Sequence, residues 1–309
     1  MLTRRHIRVK VMQSLYAYFS SKEEDTVFAE KNMLKSFQEV LDLNLAIISL
    51  FIQIVFHAED FLKELKNKHF PTQEDLNPNK RFINNNIIKT ILDNDSLVSE
   101  TKKFVYLWND NDHDIIRKLF KDIYQAEIYQ KYINDTDLSI DVDKKFIINI
   151  LNECILKNKI VHHILEEKSI CWIDDLPFVA TIIMGNIKSD IFTFSNIIFK
   201  EESDKEFTVE LFQNTISCSE EYNQIIIKFA RDWDLERIAL IDQILLKMAF
   251  TEILKMEELP VKVSMNEYIE ISKYYGTEKS KLFINGLLDN AVKDFKINGK
   301  IKKSGRGLL

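Results

Sequence analysis

The chain has only six glycines, four prolines and three cysteines in 309 residues. Hairpins and sheets depend on turns, and turns draw heavily on glycine and proline. That scarcity excludes a strand-rich architecture and predicts an all-α protein. The cysteines, Cys154, Cys171 and Cys218, are odd in number and far apart, which excludes a disulfide framework. A cleavable signal pattern is missing from the start of the sequence. The most apolar run, Ala46 to Phe56, is broken by Ser49 and Gln53 and falls short of a bilayer's thickness. A cytoplasmic location with no membrane association is therefore expected.

Catalytic signatures are missing as well. The segment Gly185-Asn186-Ile187-Lys188-Ser189 ends like a phosphate-binding loop, but the upstream glycine is absent and the surrounding pattern is helical. Cys154, His162, His163 and Cys171 do not place two ligands on one helical face, so a zinc site is not expected. Carboxylates are numerous but scattered, as on solvated faces. No cofactor, no metal and no enzymatic activity are expected.

What the sequence does contain is a polarised charge distribution. Net charge is −6. Residues 1–10 carry Arg4, Arg5, Arg8 and Lys10 without an acid, and residues 296–309 carry five cations without an acid, leaving −15 on the body. An acidic body with two basic ends suits a protein that meets a polyanion locally.

Apolar periodicity predicts a helix from Thr3 to Ser20 with Ile7, Val11, Leu15 and Tyr18 along one side. Arg5, His6, Lys10, Gln13 and Tyr16 fall away from that stripe. Cations at a helix N-terminus oppose its dipole by about 0.3–1 kcal/mol each. Arg4, Arg5 and Arg8 therefore have another reason to be there: a solvated end, or phosphate binding, for which the guanidinium fork is suited. Further helical patterns fall near 26–66, 81–92, 97–108, 114–133, 143–167, 175–199, 206–217 and 219–230. Breaks fall at Pro71, Pro78 and the polar runs 109–112 and 134–137. A weak echo between 41–63 and 211–228 does not amount to a repeat.

The most informative stretch is Arg231 to Phe295. An acidic cluster (Asp232, Asp234, Glu236) opens a predicted long helix with Leu235, Ile238, Leu245, Leu246, Ala249 and Ile253 at helical spacing. Pro260 follows it. Ser264 and Glu267 have capping-box spacing for a helix that runs to Tyr275 and stops at Gly276, a residue suited to a left-handed C′ position. Thr277 is the N-cap candidate for a last helix with Ile284, Leu288, Ala291 and Phe295 on one arc. Asp242 falls within the apolar arc of its helix, where a bare carboxylate is expensive to bury. It has either an internal cationic partner or faces another protein. Tyr275, Lys279 and Phe283 combine two aromatics and a cation around one turn. They form either core packing or a stacking and phosphate surface for single-stranded RNA, where stacking contributes about 1–3 kcal/mol per base.

The order and spacing of these pieces resemble the NusB family of transcription antitermination factors. The resemblance rests on Arg4-Arg5-His6-Ile7-Arg8 with Gln13-Ser14-Leu15-Tyr16, and on Trp233-Asp234-Leu235-Glu236-Arg237-Ile238. Ala249-Phe250-Thr251-Glu252-Ile253, Asn266-Glu267, Ile269-Glu270-Ile271 and Phe283-Ile284-Asn285-Gly286-Leu287-Leu288-Asp289 continue it. It implies a NusB-type helical bundle with an additional helical region. Residues 1–21 would be the basic first helix, 22–205 the addition, 206–297 the C-terminal part of the bundle and 298–309 a basic tail. The resemblance also implies RNA contacts at Arg4, Arg5, His6, Arg8, Tyr16, Tyr275, Lys279 and Phe283. Asp242 would contact the ribosomal small-subunit protein NusE. The implied role is antitermination, notably of ribosomal RNA transcription, on a boxA-type single-stranded RNA within the transcription elongation complex. His6 stands where the family often has arginine, and Lys279 where it often has an acid. NusB-like domains also occur fused to ribosomal RNA methyltransferases, but no glycine-rich loop or catalytic cysteine motif follows Phe295. The alternative is an all-helical interaction scaffold without RNA binding.

Overall fold

The computed structural model describes residues 2–21, 25–109, 114–189, 199, 201–230 and 234–304. Asp232 and Trp233, and most of the 109–112 break, lie outside the described residues. Among those described there is no strand, and fifteen α-helices follow one another, as an all-α chain requires. They are α1 (Arg4–Ser21), α2 (Thr26–Lys66), α3 (Gln73–Leu76), α4 (Asn86–Leu92), α5 (Asp95–Thr101), α6 (Ile115–Gln125), α7 (Glu127–Asn134) and α8 (Ile140–Ile150). After these come α9 (Lys159–Lys168), α10 (Ile170–Ser189), α11 (Glu202–Ser217), α12 (Ser219–Phe229), α13 (Leu240–Lys255), α14 (Val261–Tyr275) and α15 (Ser280–Ile297).

The chain divides into two compact units, one made of Met1–Phe37 with Ile197–Leu309, the other of Gln38–Asn196. In the second unit the apolar stretch of α2 is core. Leu43, Leu45, Ala46, Ile47, Leu50 and Ile54 are at most 1% exposed. The expectation that this stretch is too short to cross a bilayer needs correcting on length. It lies in a 41-residue helix, and α2 and α10 are both long and apolar enough to pass that test. Side chains of α2 such as Phe61 instead meet Phe120 and Tyr124 of α6 edge-on. Asp143 of α8 is buried and fully engaged: it accepts from Tyr132 Oη at 2.6 Å and from the Asn86 amide N–H at 2.9 Å.

The first unit is organised around α13, which packs against α1, α11, α12, α14 and α15. Every residue from Ile244 to Ile253 is buried. A helix apolar on nearly all sides is a central helix rather than a surface one. Phe250 is fully buried between the rings of Tyr222 and Phe295, each 5.8 Å away.

Three local expectations change. The long helix expected from Arg231 begins only at Leu240; Leu235–Arg237 form a single 3₁₀ turn, and Ile238 and Ala239 are extended. Gln243 explains this break: its Nε2 donates to the carbonyls of Leu235 and Ile238, both at 2.9 Å, tying down the preceding turn. The capping box is not formed either. Helix α14 starts one turn earlier, directly after Pro260, whose carbonyl accepts from Ser264 N at 3.1 Å. Ser264 is then a buried mid-helix donor and Glu267 is free to turn elsewhere. Finally, α14 does end at Gly276, but in an extended conformation (φ −93°, ψ −177°) rather than a left-handed one. Glycine is needed there for space: a Cβ would lie 2.6 Å from Ser280 Cβ and 2.8 Å from the Ser272 carbonyl oxygen. Thr277 does not cap α15 in the expected way. Its backbone N–H donates to Ser280 Oγ at 2.8 Å.

Candidate functional site

The basic start of α1 lies in the first unit, against α11 and α13. Four of its ionisable residues, Arg4, Arg5, His6 and Arg8, have different environments. Arg8 is 2% exposed, and its Nε and Nη2 donate to the two oxygens of Glu252 at 2.6 and 2.9 Å. The guanidinium sits over the rings of Phe207 and Tyr268. Burial by itself lowers its pKa, but the hydrogen bonds and charge of Glu252 outweigh that and leave it raised. Glu252 is 0% exposed and also accepts from Ser264 Oγ at 2.7 Å and Tyr268 Oη at 2.5 Å. A buried carboxylate with four donors is satisfied as fully as such a group can be. Arg8, expected among the RNA contacts, is thus buried and paired with Glu252 inside the bundle.

Arg4 and Arg5 remain at the surface, with side chains 40% and 50% exposed. Arg4 Nε donates to Asp204 Oδ1 at 3.0 Å and stacks over Phe207. Arg5 forms a fork with Glu267, Nε to Oε2 at 2.8 Å and Nη2 to Oε1 at 2.7 Å. That bond raises the Arg5 pKa and lowers that of Glu267. His6 is half-buried, its Nδ1 2.6 Å from Thr3 Oγ1. Burial, with the adjacent Arg5 charge, lowers its pKa to about 4. At neutral pH it is an uncharged imidazole, so it does not replace the arginine its position suggested.

Tyr16 is 46% exposed and eleven residues beyond Arg5. At 100° per residue that places both on the same side of α1, about 16 Å apart along its axis. Tyr275 is 37% exposed and Lys279 is exposed, while Phe283 is half-buried on α15. The end of α14 completes the surroundings of Arg5: Tyr274 and Glu270 both lie within its electrostatic reach, and Glu270 in turn feels Lys273 and Lys281. Sequence reasoning missed Tyr274, which is 81% exposed. It also read Glu267 as a cap rather than as the partner of Arg5. Helical spacing from Arg5 carries no signal for either residue, because both lie on another helix.

Asp242 takes the internal of its two readings, with a hydroxyl rather than a cation as partner. It is 6% exposed, and Oδ2 accepts from Ser280 Oγ at 2.8 Å. Its Oδ1 has no hydrogen-bond partner among the described residues. Burial raises its pKa, and the Ser280 bond works in the opposite direction. Through Ser280 it fixes the Gly276–Thr277 turn and the start of α15, so its carboxylate does not itself present a surface. Among the described residues, no three His, Cys, Asp or Glu side chains gather as metal ligands.

Comparison with known proteins places this unit in context. The profile of the NusB family matches residues 180–293. A transcription antitermination protein NusB from Salinibacter ruber is 46% identical over 110 residues, 36% of this chain and 69% of that protein. The namesake from Chloroherpeton thalassium is 41% identical over 105 residues, 34% of this chain and 50% of that protein. The one from Alkaliphilus oremlandii is 38% identical over 92 residues, 30% of this chain and 67% of that protein. No solved structure matches the chain. The family match leaves out α1, yet α1 packs against α11 and α13, both of which the match covers.

Proposed function

The chain belongs to the NusB family, and on that premise we propose that it is a transcription antitermination protein that binds single-stranded RNA through the first unit. The observation that carries the reading is the pair of surface arginines, Arg4 and Arg5, at the end of a helix whose dipole they oppose. Cations in that place favour a polyanion. Arg4 and Arg5 contact phosphates, with the exposed Lys279 just before α15 adding charge. Tyr16, Tyr275 and the half-buried Phe283 offer rings on which bases stack. Arg8 acts behind this surface by anchoring α1 to α13, and His6 contributes shape rather than charge.

The finer assignment is a boxA-type RNA in ribosomal RNA transcription, bound together with NusE inside a cytoplasmic elongation complex. On this reading Asp242 supports the NusE-facing surface indirectly, by holding the Ser280 turn. Two ligands on adjacent faces of one rigid unit stabilise each other's binding by linkage, without chemistry.

A second reading keeps the fold as an interaction scaffold without RNA binding. It is favoured by the fact that Arg4 and Arg5 already have carboxylate partners and Arg8 is buried. RNA titrations of the full chain at several salt concentrations, with and without NusE, separate the two. Single-stranded contacts contribute about 0.7 each to the slope of log affinity against log salt. Replacing Arg4 and Arg5 by alanine should weaken binding to all sequences and flatten the slope by about 1.4. Tyr16→Ala should weaken binding with little change in slope. No RNA binding by the wild type, even with NusE present, establishes the scaffold.

A further inference from the structure

The carboxylates that face the basic end of α1 carry an inference that rests on the RNA-binding reading and goes beyond it. Arg5 is not a free cation. It is held by a two-point fork to Glu267, the bidentate hydrogen bonding that a phosphate would otherwise take. Glu267 belongs to a chain of alternating charges that runs inward. Arg8 spends Nε and Nη2 on Glu252, which leaves its Nη1 pointing at Glu267 Oε2 from 3.9 Å. That distance is beyond a hydrogen bond but within reach of a small side-chain rotation.

We propose that Glu267 is a displaceable counter-charge that sets the affinity of this surface: phosphate takes Arg5, and Glu267 moves onto the spare Nη1 of Arg8. Two features support this. Arg8 is fixed by its buried pair and cannot leave, so it offers a preformed second seat for the carboxylate. Arg5 is the half-exposed member, so the incoming anion has access from solvent. The exchange keeps every charge paired in both states, so it avoids stranding a carboxylate at a site where Glu267 is itself only 17% exposed. Its consequence is discrimination. A phosphate that merely passes must outcompete an intramolecular fork, whereas one held in place by base stacking on neighbouring rings has already been localised. Glu267 therefore suppresses non-specific polyanion binding more than specific binding.

The test is a double-mutant cycle on the full chain with Glu267→Gln, Arg5→Ala and the double variant, titrated with a boxA-type and an unrelated single-stranded RNA. Glu267→Gln should bind the unrelated RNA about two- to fivefold more tightly, the range of an exposed ion pair. It should steepen the salt slope by up to about 0.7. The boxA-type RNA should gain less, so selectivity falls. In the Arg5→Ala background the same substitution should have no effect on either RNA. An unchanged affinity in Glu267→Gln, or an equal gain in the Arg5→Ala background, overturns the exchange while leaving RNA binding intact. Failure of wild type and Glu267→Gln alike to bind RNA at low salt overturns both the exchange and the RNA-binding reading.

Discussion

Replacing Arg8 with alanine is the sharpest perturbation available to the first unit. Glu252, fully buried, would lose the bonds from Nε at 2.6 Å and Nη2 at 2.9 Å. Among the described residues, the neutral hydroxyls of Ser264 and Tyr268 would still donate to its side chain, while Lys303 Nζ stays on its backbone carbonyl at 2.8 Å. Removing one partner of a buried ion pair costs about 3–5 kcal/mol, because the other charge remains buried without compensation. For a unit of this size each kcal/mol shifts the midpoint by about 2–4 °C, so unfolding should come about 6–20 °C earlier. Arg5→Ala is the matched control, since it removes the same kind of two-point bond from an exposed pair. There screening and side-chain entropy leave only about 0–1 kcal/mol, and the midpoint should move by at most about 4 °C. Arg8→Lys should fall between the two, keeping the charge and losing the fork. Scanning calorimetry on the full chain measures all three. Equal losses for Arg8→Ala and Arg5→Ala would refute the argument, because the buried pair would then be no more consequential than the surface one.

The remaining predictions concern single residues. His6 should titrate with a midpoint near 4 in a nuclear magnetic resonance titration; a midpoint near 6.5 would mean it is solvated and available as a cation. Asp242 has a raised pKa, so the folded chain takes up this proton before the unfolded chain as pH falls. The penalty of burying its charge is thus present at neutral pH and relieved toward pH 4. Asp242→Asn lacks that term, so its stability relative to wild type, read by urea denaturation, should be greatest at neutral pH and decline with acid. A pH-independent difference would show that Asp242 is solvated. Gly276→Ala should destabilise by about 1–3 kcal/mol through collision with Ser280, and an unchanged denaturation midpoint would show that the turn relaxes freely.

Much of the architecture was legible from composition and period. The pattern over 26–66 corresponds to α2, and the stop at Gly276 is the end of α14. Where the reading went astray, a side chain intervened from outside the local pattern. Gln243 broke the expected helix at Ile238, and a buried carboxylate turned Ser264 from a cap into an internal donor. The basic start of α1 was visible as four cations among ten residues, but not which of them reach solvent.

That division has a physical cause. Periodicity and residue type report how each position prefers to divide itself between water and a core, and they are properties of a few neighbouring residues. They determined that this protein is helical, where most of its helices lie and which stretches are apolar. The fate of a charge depends on its partner, and partners are set by the closing of the bundle. Arg8 finds Glu252 across 244 positions and Arg5 finds Glu267 across 262. Two arginines three residues apart on one helix thus became a buried strut and an exchangeable surface cation. Only the packing of α1 against α11 and α13, which brings Glu252 and Glu267 within reach, decided which was which.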